Sequence, residues 1–272
     1  MRIAVLDFGT GATGARAAAT VRQLFTDVSP ISKFALIDSD LARTAAFGAG
    51  FQGSLNLTTQ QARDIGAAIG CEFYFVGDAQ TLRRTPSTGP AYFESYASIF
   101  VVSARTGRLI FWERPLERRD TANAAEDALI RVLASGNTGD RYRAQILRAL
   151  ADEQVQRQLA VEQPPAVIEV MADEEANGLN TETRPPRPYR RPKPPYPESA
   201  ARAEVEAVVD VLVDVDARGE ISYLEIARWA GYGLDQSVLD TVKQMHFFPA
   251  MRSGVAIPMR VLLRYNFRKP AK

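Results

Sequence analysis

The sequence predicts two folded domains: an α/β domain with a mixed sheet, then a smaller α+β domain with the element order ββαβ. A linker separates them, because residues 184–197 read RPPRPYRRPKPPYP, with seven prolines, five cations and no acid. Proline fixes φ and lacks an amide donor, so this stretch favours extended polyproline II. Strands and helices alternate before it, and a long alternating strand follows it. The predicted boundaries are residues 1–160, a linker at 161–197, and residues 198–272.

Composition excludes several classes of function. The apolar fraction of 46% and the charged fraction of 24% are typical of a globular protein. A net charge of +1 gives no global electrostatic reason to expect nucleic acid or an anionic membrane as a partner. One cysteine, Cys71, and one histidine, His246, exclude an internal disulfide, a thiolate zinc site and a histidine dyad. We therefore expect no metal, no cofactor and no enzymatic activity.

The first domain begins with an apolar strand at residues 3–6, a glycine-rich loop, a helix and a second strand at residues 34–37. Gly9, Gly11 and Gly14, followed by Asp38, have the spacing type of a dinucleotide-binding fingerprint. The alternative function is therefore a nucleotide- or NAD-dependent enzyme. Asp7 counts against it, because a carboxylate beside the loop would repel phosphates. We expect a strand-to-helix loop without a cofactor.

The remaining elements of the first domain follow in order. The sequence Asp-Ser-Asp at residues 38–40 could hold Mg²⁺, but Asp40 is more simply the N-cap of a helix at residues 41–46. A helix at residues 59–69 precedes a strand at 72–76. Two further strands, at residues 92–104 and 109–115, flank the turn RTGR and predict an antiparallel hairpin. A helical pattern then runs to about residue 159, with a break at residues 136–139.

Residues 2–115 contain the segments IAVLDF, FALIDSDL, GAAIGCEFYFVGDA and SYASIFVVSARTGRLIFWE. Through these segments, residues 2–115 resemble the amino-terminal α/β domain of TolB-like and CsgG-like envelope proteins. The resemblance implies a non-catalytic domain that serves in assembly or interaction. A structural envelope assembly module that oligomerises through this domain is therefore a further alternative.

The predicted linker has two blocks of charge. Residues 161–183 are acidic, and the cationic proline-rich stretch follows directly. Charge blocks and proline predict a solvated tether. A basic proline-rich run can also be an SH3-type ligand or a phosphate-binding patch.

The second domain begins with a strand in which valines alternate with acidic residues over residues 205–215. A turn at residues 216–219 leads into a returning strand. The next helix places Leu234, Val238, Val242 and Met245 on one face. The last strand, at residues 257–267, again alternates apolar and polar side chains. Together these patterns predict an antiparallel sheet with one helix on its apolar face.

Residues 194–267 contain, in order, the segments PPYPESA, VVDVLVDVDARGEI and GYGLDQSVLDTVKQMHFFPAMRSGVAIPMRVLLRYNF. Over these residues the second domain resembles the TonB carboxy-terminal domain. His246 stands where that family often has Arg or Lys. The resemblance implies a periplasmic or cell-envelope protein whose partner is a protein, such as a segment of an outer-membrane receptor, in energy-coupled transport. TonB proteins begin with a membrane helix, and no signal peptide or apolar run of that length is visible here, which leaves energy coupling open.

In the TonB family the partner pairs with the final strand, through main-chain groups that an edge strand leaves unpaired. We expect Arg260 and Arg264 to face away from the core and to favour an acidic partner. Tyr196 could pack against the added strand or simply dock the linker. The predicted partner-binding residues are Tyr196, Met259, Arg260, Val261, Leu262, Leu263 and Arg264.

Overall fold

The structure, a computed structural model, describes residues 1–26, 34–162, 169–170 and 183–269. The chain divides into two compact units, Met1–Gln158 and Leu159–Lys272. Both units contain helices and sheets. The predicted fold class, an α/β domain followed by an α+β domain, is confirmed.

The first unit is built on a mixed sheet. Its elements are β1 (Arg2–Val5), α1 (Ala12–Thr26), β2 (Ala35–Leu36), α2 (Ser39–Gly48), α3 (Thr59–Ile69), β3 (Phe73–Arg84), β4 (Tyr92–Ser103), β5 (Leu109–Glu113), β6 (Leu116–Arg119), α4 (Ala122–Leu133) and α5 (Gly136–Glu162). The strand order is β2-β1-β3-β4-β5, and β6 also pairs with β4. β1 runs parallel to β2 and β3, whereas β4 is antiparallel to β3, β5 and β6.

β3 is longer than the sequence predicts. Its apolar stretch ends at Val76, yet the strand continues to Arg84 and pairs with β4 along its whole length. The extension is polar, so only the ladder with β4 identifies it as strand. The predicted hairpin of β4 and β5 is present, and its turn residue Gly107 has φ +70°. A Cβ at Gly107 would lie 1.9 Å from the carbonyl oxygen of Thr59, so the turn packs directly on the start of α3.

Aromatic side chains from the sheet and two helices meet in the core of the first unit. Phe75 on β3 lies 5.4 Å from Phe25 on α1 and 5.5 Å from Tyr142 on α5, measured between ring centroids. Tyr142 also lies 5.4 Å from Phe111 on β5. These contacts attach both helices to one face of the sheet.

The second unit contains the predicted ββαβ arrangement. Its elements are β7 (Glu169–Val170), β8 (Thr183–Arg184), β9 (Arg187–Pro188), α6 (Glu198–Ala203), β10 (Ala207–Val215), β11 (Ile221–Arg228), α7 (Leu234–Val242), β12 (Phe247–Phe248), β13 (Ala250–Arg252), β14 (Val255–Ile257) and β15 (Met259–Phe267). The main sheet has the order β11-β10-β15-β7. Its first three strands are antiparallel, and β7 is parallel to β15. The core buries the alternate valines of β10 together with Leu234, Val238 and Val242 of α7.

The described part of the predicted linker is docked on the second unit. β8 pairs with β13, and β9 pairs with β12. Pro186 and Pro194 are buried. Proline cannot donate to a ladder, but an extended proline-rich segment can still lie along an edge and bury its rings. Residues 183–197 are therefore not the detached tether that their composition predicts. Residues 163–168 and 171–182 of that linker lie outside the described residues.

Candidate functional site: the outer edge of β15

The outer edge of β15 is only partly covered by another strand. On the side away from β10, β7 pairs with Met259 and Arg260. Within the described residues, no strand pairs with β15 on that side beyond Arg260. The carbonyl oxygen of Arg264 accepts a hydrogen bond of 2.7 Å from Nη2 of Arg191, outside the β10–β15 ladder. The edge from residue 261 onward is thus the stretch at which a further strand could add.

The direction of the main-chain groups follows from the antiparallel ladder. Along a strand of such a ladder, the main-chain N–H and C=O groups of successive residues point alternately towards the neighbouring strand on one side and towards the opposite side. Since the Arg264 carbonyl faces away from β10, the groups of Arg260, Leu262 and Asn266 do so as well. Those of the intervening residues face β10. Six of the predicted residues lie on β15. Of these, Met259, Val261 and Leu263 therefore direct their main-chain N–H and C=O groups towards β10.

The two arginines of the predicted site are neutralised within the sheet. Arg260 forms a bidentate pair with Asp214, with Nη2 at 2.7 Å from Oδ2. Arg264 forms a second bidentate pair with Asp210, at 2.8 and 3.0 Å. The arginines do lie on the face opposite the core, as predicted. Because β10 already supplies counter-charges to both arginines, their charge gives no support to the expectation of an acidic partner, which stays a prediction.

Asp210 is held between two strands. Its carboxylate also accepts a hydrogen bond of 3.2 Å from Nε of Arg228 on β11, and the residue is only 3% exposed. Burial by itself raises the pKa of Asp210, but the hydrogen bonds from Arg264 and Arg228 outweigh it and hold the pKa below its ordinary value. On the neighbouring pair, the hydrogen bond to Asp214 raises the pKa of Arg260. The carboxylate of Asp210 and the guanidinium of Arg260 are therefore both stabilised in their charged forms.

Tyr196 docks the linker rather than lining an open groove. Its hydroxyl donates to the carbonyl oxygen of Val205 at 2.6 Å, and its ring centroid lies 6.1 Å from that of Phe267. Nearby, the Ser237 hydroxyl donates to the carbonyl oxygen of Pro195 at 2.6 Å. These contacts support the linker-docking alternative for Tyr196.

Sequence reasoning missed three residues of this site: Arg191, Asp210 and Asp214. The signal for the two acids was present, since Asp210 and Asp214 are four apart on β10 and Arg260 and Arg264 are four apart on β15. In an antiparallel pairing such patterns can face one another. Arg191 had no comparable signal, because its contact depends on how the linker docks.

Close packing explains why two positions of the glycine-rich loop in the first unit are glycine. Gly9 has φ +84°, and a Cβ there would lie 2.9 Å from Oδ1 of Asp78. A Cβ at Gly14 would lie 2.0 Å from the carbonyl oxygen of Phe8. At Gly11 a Cβ would meet no atom within 4 Å. The close carboxylate of Asp78 makes the start of this loop a poor place for a phosphate.

The acidic residues after β2 also have structural roles. Asp38 is the N-cap of α2, and its carboxylate accepts hydrogen bonds of 3.0 Å from the amides of Asp40 and Leu41. The predicted cap, Asp40, lies instead in the first turn. Asp7 pairs with Arg22 at 2.7 Å. Over the described ranges, no group of three or more His, Cys, Asp and Glu residues could hold a metal ion.

Family comparison identifies the second unit. Residues 192–268 match the model of the Gram-negative bacterial TonB protein C-terminal family. This segment is TonB-like. The match confirms the predicted resemblance and runs from the docked linker to the end of β15. No curated protein matches the chain.

Three solved structures show similarity to parts of the chain. The TonB C-terminal domain of Pseudomonas aeruginosa has 21% identity, covers 32% of this chain and 89% of its own, and gives a TM-score of 0.28. The hypothetical protein CT253 from Chlamydia trachomatis has 12% identity, with coverages of 51% and 96% and a TM-score of 0.34. The LpoB C-terminal domain from Salmonella enterica has 17% identity, with coverages of 43% and 82% and a TM-score of 0.28. Scores this low carry no functional argument, and the TolB-like and CsgG-like resemblance of the first unit stays a prediction.

The length and hydropathy of the helices bear on whether any of them could cross a bilayer. A membrane-spanning helix needs about 20 predominantly apolar residues. None of the helices in the described residues is long and apolar enough to meet this requirement.

Proposed function

We propose that the chain is a non-enzymatic cell-envelope protein whose TonB-like domain binds a partner protein by β-strand addition to β15. The observation that carries this proposal is the incomplete outer edge of β15, where Leu262 and Asn266 direct main-chain groups away from β10. A partner strand would satisfy these groups, and its side chains would add specificity. That β7 already pairs at Met259 and Arg260 supports the capacity of this edge to accept a strand.

The proposed site is shifted from the one predicted from sequence. Since β7 occupies the edge at Met259 and Arg260, a partner strand has room along residues 262–266. Leu262 is 46% exposed and offers an apolar contact beside the main-chain bonds.

The partner and the process rest on the family match. The matched family is a periplasmic or envelope family and its domain is non-enzymatic. We propose a segment of an outer-membrane receptor as the partner and energy-coupled transport as the process. The first unit would recruit or anchor the protein, by oligomerisation or by contact with another envelope component.

Proline substitution at the edge tests the proposal. Leu262→Pro removes one outward N–H and leaves the ladder with β10 intact, because proline is tolerated on edge strands. Leu262→Ala removes the same side chain and keeps the N–H, so it is the matched control. Both variants are titrated with the amino-terminal peptide of an outer-membrane receptor, and amide resonances are followed by NMR.

Two results together support strand addition. The amides of Leu262, Arg264 and Asn266 should shift in the wild type, and Leu262→Pro should weaken binding about tenfold more than Leu262→Ala, as expected for one lost main-chain bond. If the amides of residues 9–14 respond while those of β15 do not move, strand addition at this edge is wrong.

A further inference from the structure

The docked linker segment carries four cations at every third position: Arg184, Arg187, Arg190 and Lys193. We call these four residues the cationic strip. Arg184 lies on β8 and Arg187 on β9, each paired with a strand of the second unit, and Arg190 and Lys193 follow further along the docked segment. All four are exposed, whereas Pro186 and Pro194 of the same segment are buried. The segment thus buries two of its prolines and leaves the four cations exposed to solvent.

The fifth cation of the segment, Arg191, has a different environment. It donates to the carbonyl oxygen of Arg264 at 2.7 Å, and its guanidinium lies 5.3 Å from the centroid of the Tyr265 ring. Together with the β8–β13 and β9–β12 pairings, this contact fixes the segment on the domain. The cationic strip is therefore held in place before any ligand arrives, which lowers the entropic cost of binding.

Among the described residues, the four side chains of the cationic strip have no acidic partners. Within the part of the chain that the structure describes, none of the four forms an ion pair. Four other cations of the second unit each have a carboxylate partner: Arg202 with Glu198, Arg218 with Asp216, Lys243 with Asp240 and Lys269 with Glu204. The whole-chain net charge of +1 thus includes a local concentration of positive charge at residues 184–193.

Two exposed aromatic rings stand beside the cationic strip. Tyr189, between Arg187 and Arg190 in sequence, is 58% exposed, and Phe248 is 54% exposed. Their ring centroids are 4.2 Å apart. The amide of Tyr189 donates to the carbonyl oxygen of His246 at 2.9 Å, which fixes its backbone. The rings form one apolar projection flanked by cations.

We propose that the cationic strip, with Tyr189 and Phe248, binds anionic lipid headgroups and seats the second unit on a membrane surface. Arginine guanidinium groups suit phosphate recognition, and exposed apolar side chains beside them can enter the interface. Single-stranded nucleic acid is the competing polyanion. The contact between the two rings favours lipid, because rings packed on each other leave one less face on which a base could stack.

This proposal goes beyond strand addition and uses different residues. It rests on the proposed function only in placing the chain in the envelope. The strand site lies on residues 262–266, whereas the lipid site lies on the linker and β12. A failure of one therefore leaves the other testable.

Vesicle co-sedimentation of the full chain tests the lipid site. Vesicles of phosphatidylcholine are compared with vesicles of phosphatidylcholine and phosphatidylglycerol. The strip variant carries Arg184→Gln, Arg187→Gln, Arg190→Gln and Lys193→Gln. The matched control carries Arg202→Gln, Arg218→Gln, Lys243→Gln and Lys269→Gln, which changes the net charge equally. Circular dichroism checks that both variants fold.

The wild type should bind the vesicles that contain phosphatidylglycerol and not those of phosphatidylcholine alone, and binding should weaken at high salt. The strip variant should lose about fivefold in partitioning for each cation removed, and the control should retain binding. Phe248→Trp should show a blue-shifted emission on the anionic vesicles. The peptide titration at Leu262 should be unchanged in the strip variant.

Three outcomes would overturn the proposal. Equal losses in the strip variant and the control would make binding a net-charge effect. Equal binding to both vesicle types would show that the cationic strip does not recognise the anionic headgroup. Binding of single-stranded DNA by a chain that ignores the anionic vesicles would assign the cationic strip to nucleic acid.

Discussion

Asp210 lies opposite Arg264 in the register of β10 and β15, and their side chains share hydrogen bonds of 2.8 and 3.0 Å. The same register places Asp214 opposite Arg260. β10 is the central strand of its sheet, so one of its faces is buried by α7 while the arginines cover the acids of the other. This arrangement explains how an interior strand carries buried carboxylates, since each carboxylate is paired with an arginine on the neighbouring strand β15.

Removal of the Asp210 carboxylate should destabilise the second unit. We expect Asp210→Ala to lower the free energy of unfolding by about 2 kcal/mol, because it breaks charge-assisted bonds to Arg264 and Arg228. Glu225→Ala, on β11 of the same sheet, is the control and should change it by less than about 0.5 kcal/mol. Urea denaturation measures both. Equal effects would mean that the buried pair contributes nothing specific.

The Asp210 contribution should disappear in acid. A carboxyl group whose pKa is lower in the folded state stabilises the fold above its unfolded pKa, about 3.9. That stability is lost as the pH falls through the lower pKa of the folded state. The stability difference between wild type and Asp210→Asn should therefore be constant near neutrality and shrink below about pH 4. A difference that grows on acidification would contradict the direction of the shift.

Asp235 should have the opposite pH dependence. Burial raises its pKa to about 6, although its carboxylate accepts hydrogen bonds from the amides of Ala230 and Gly231. Such a group stabilises the fold below its unfolded pKa, and that stability is lost as the pH rises towards the folded pKa. Relative to Asp235→Asn, the wild type should lose about 2 kcal/mol between pH 4 and pH 7. Urea midpoints across this range provide the measurement, and a flat difference would refute the buried-carboxyl explanation.

Two turn glycines should differ in their tolerance of alanine. Gly219 and Gly254 have similar backbones, with φ of +87° and +83°. A Cβ at Gly219 would lie 2.0 Å from the carbonyl oxygen of Phe247, whereas at Gly254 it would meet nothing within 4 Å. Gly254→Ala should cost about 1 kcal/mol from the backbone alone, and Gly219→Ala about 3 kcal/mol or more. Thermal unfolding of both variants tests the difference, and equal costs would show that the turn at Gly219 moves freely.

Trypsin can report the docking of the linker. In residues 183–197, the bond after Arg190 is the one tryptic site that proline does not block. Because Arg191 anchors the segment to Arg264 and Tyr265, Arg191→Ala should speed cleavage after Arg190 about tenfold, which corresponds to about 1.4 kcal/mol of lost protection. Lys193→Ala, at an exposed position, should leave the rate unchanged. Mass spectrometry of timed digests measures the rate of cleavage after Arg190. Rapid cleavage of the wild type would disprove docking of the linker in solution.

Local patterns in the sequence were enough to predict the buried faces and the order of the main elements. The alternating valines of β10 and the apolar face of α7 report burial through periodicities of two and 3.6 residues, which a short segment displays without its partners. The same patterns predicted the ββαβ order and the mixed sheet, and the ordered motifs of residues 194–267 predicted the TonB-like family. The proline-rich composition predicted an extended segment.

Only the tertiary structure decided those features that depend on contacts between segments far apart in the chain. The polar half of β3 is a strand because β4 pairs with it, and its sequence carries no apolar period. The pairing of Asp210 with Arg264 joins residues 54 positions apart and exists only in one register of β10 and β15. The docking of residues 183–197 likewise depends on edges that β12 and β13 provide only once the second unit has folded. A local pattern shows which side of an element is buried, but the register and the docked partner are set by the free energy of the whole fold.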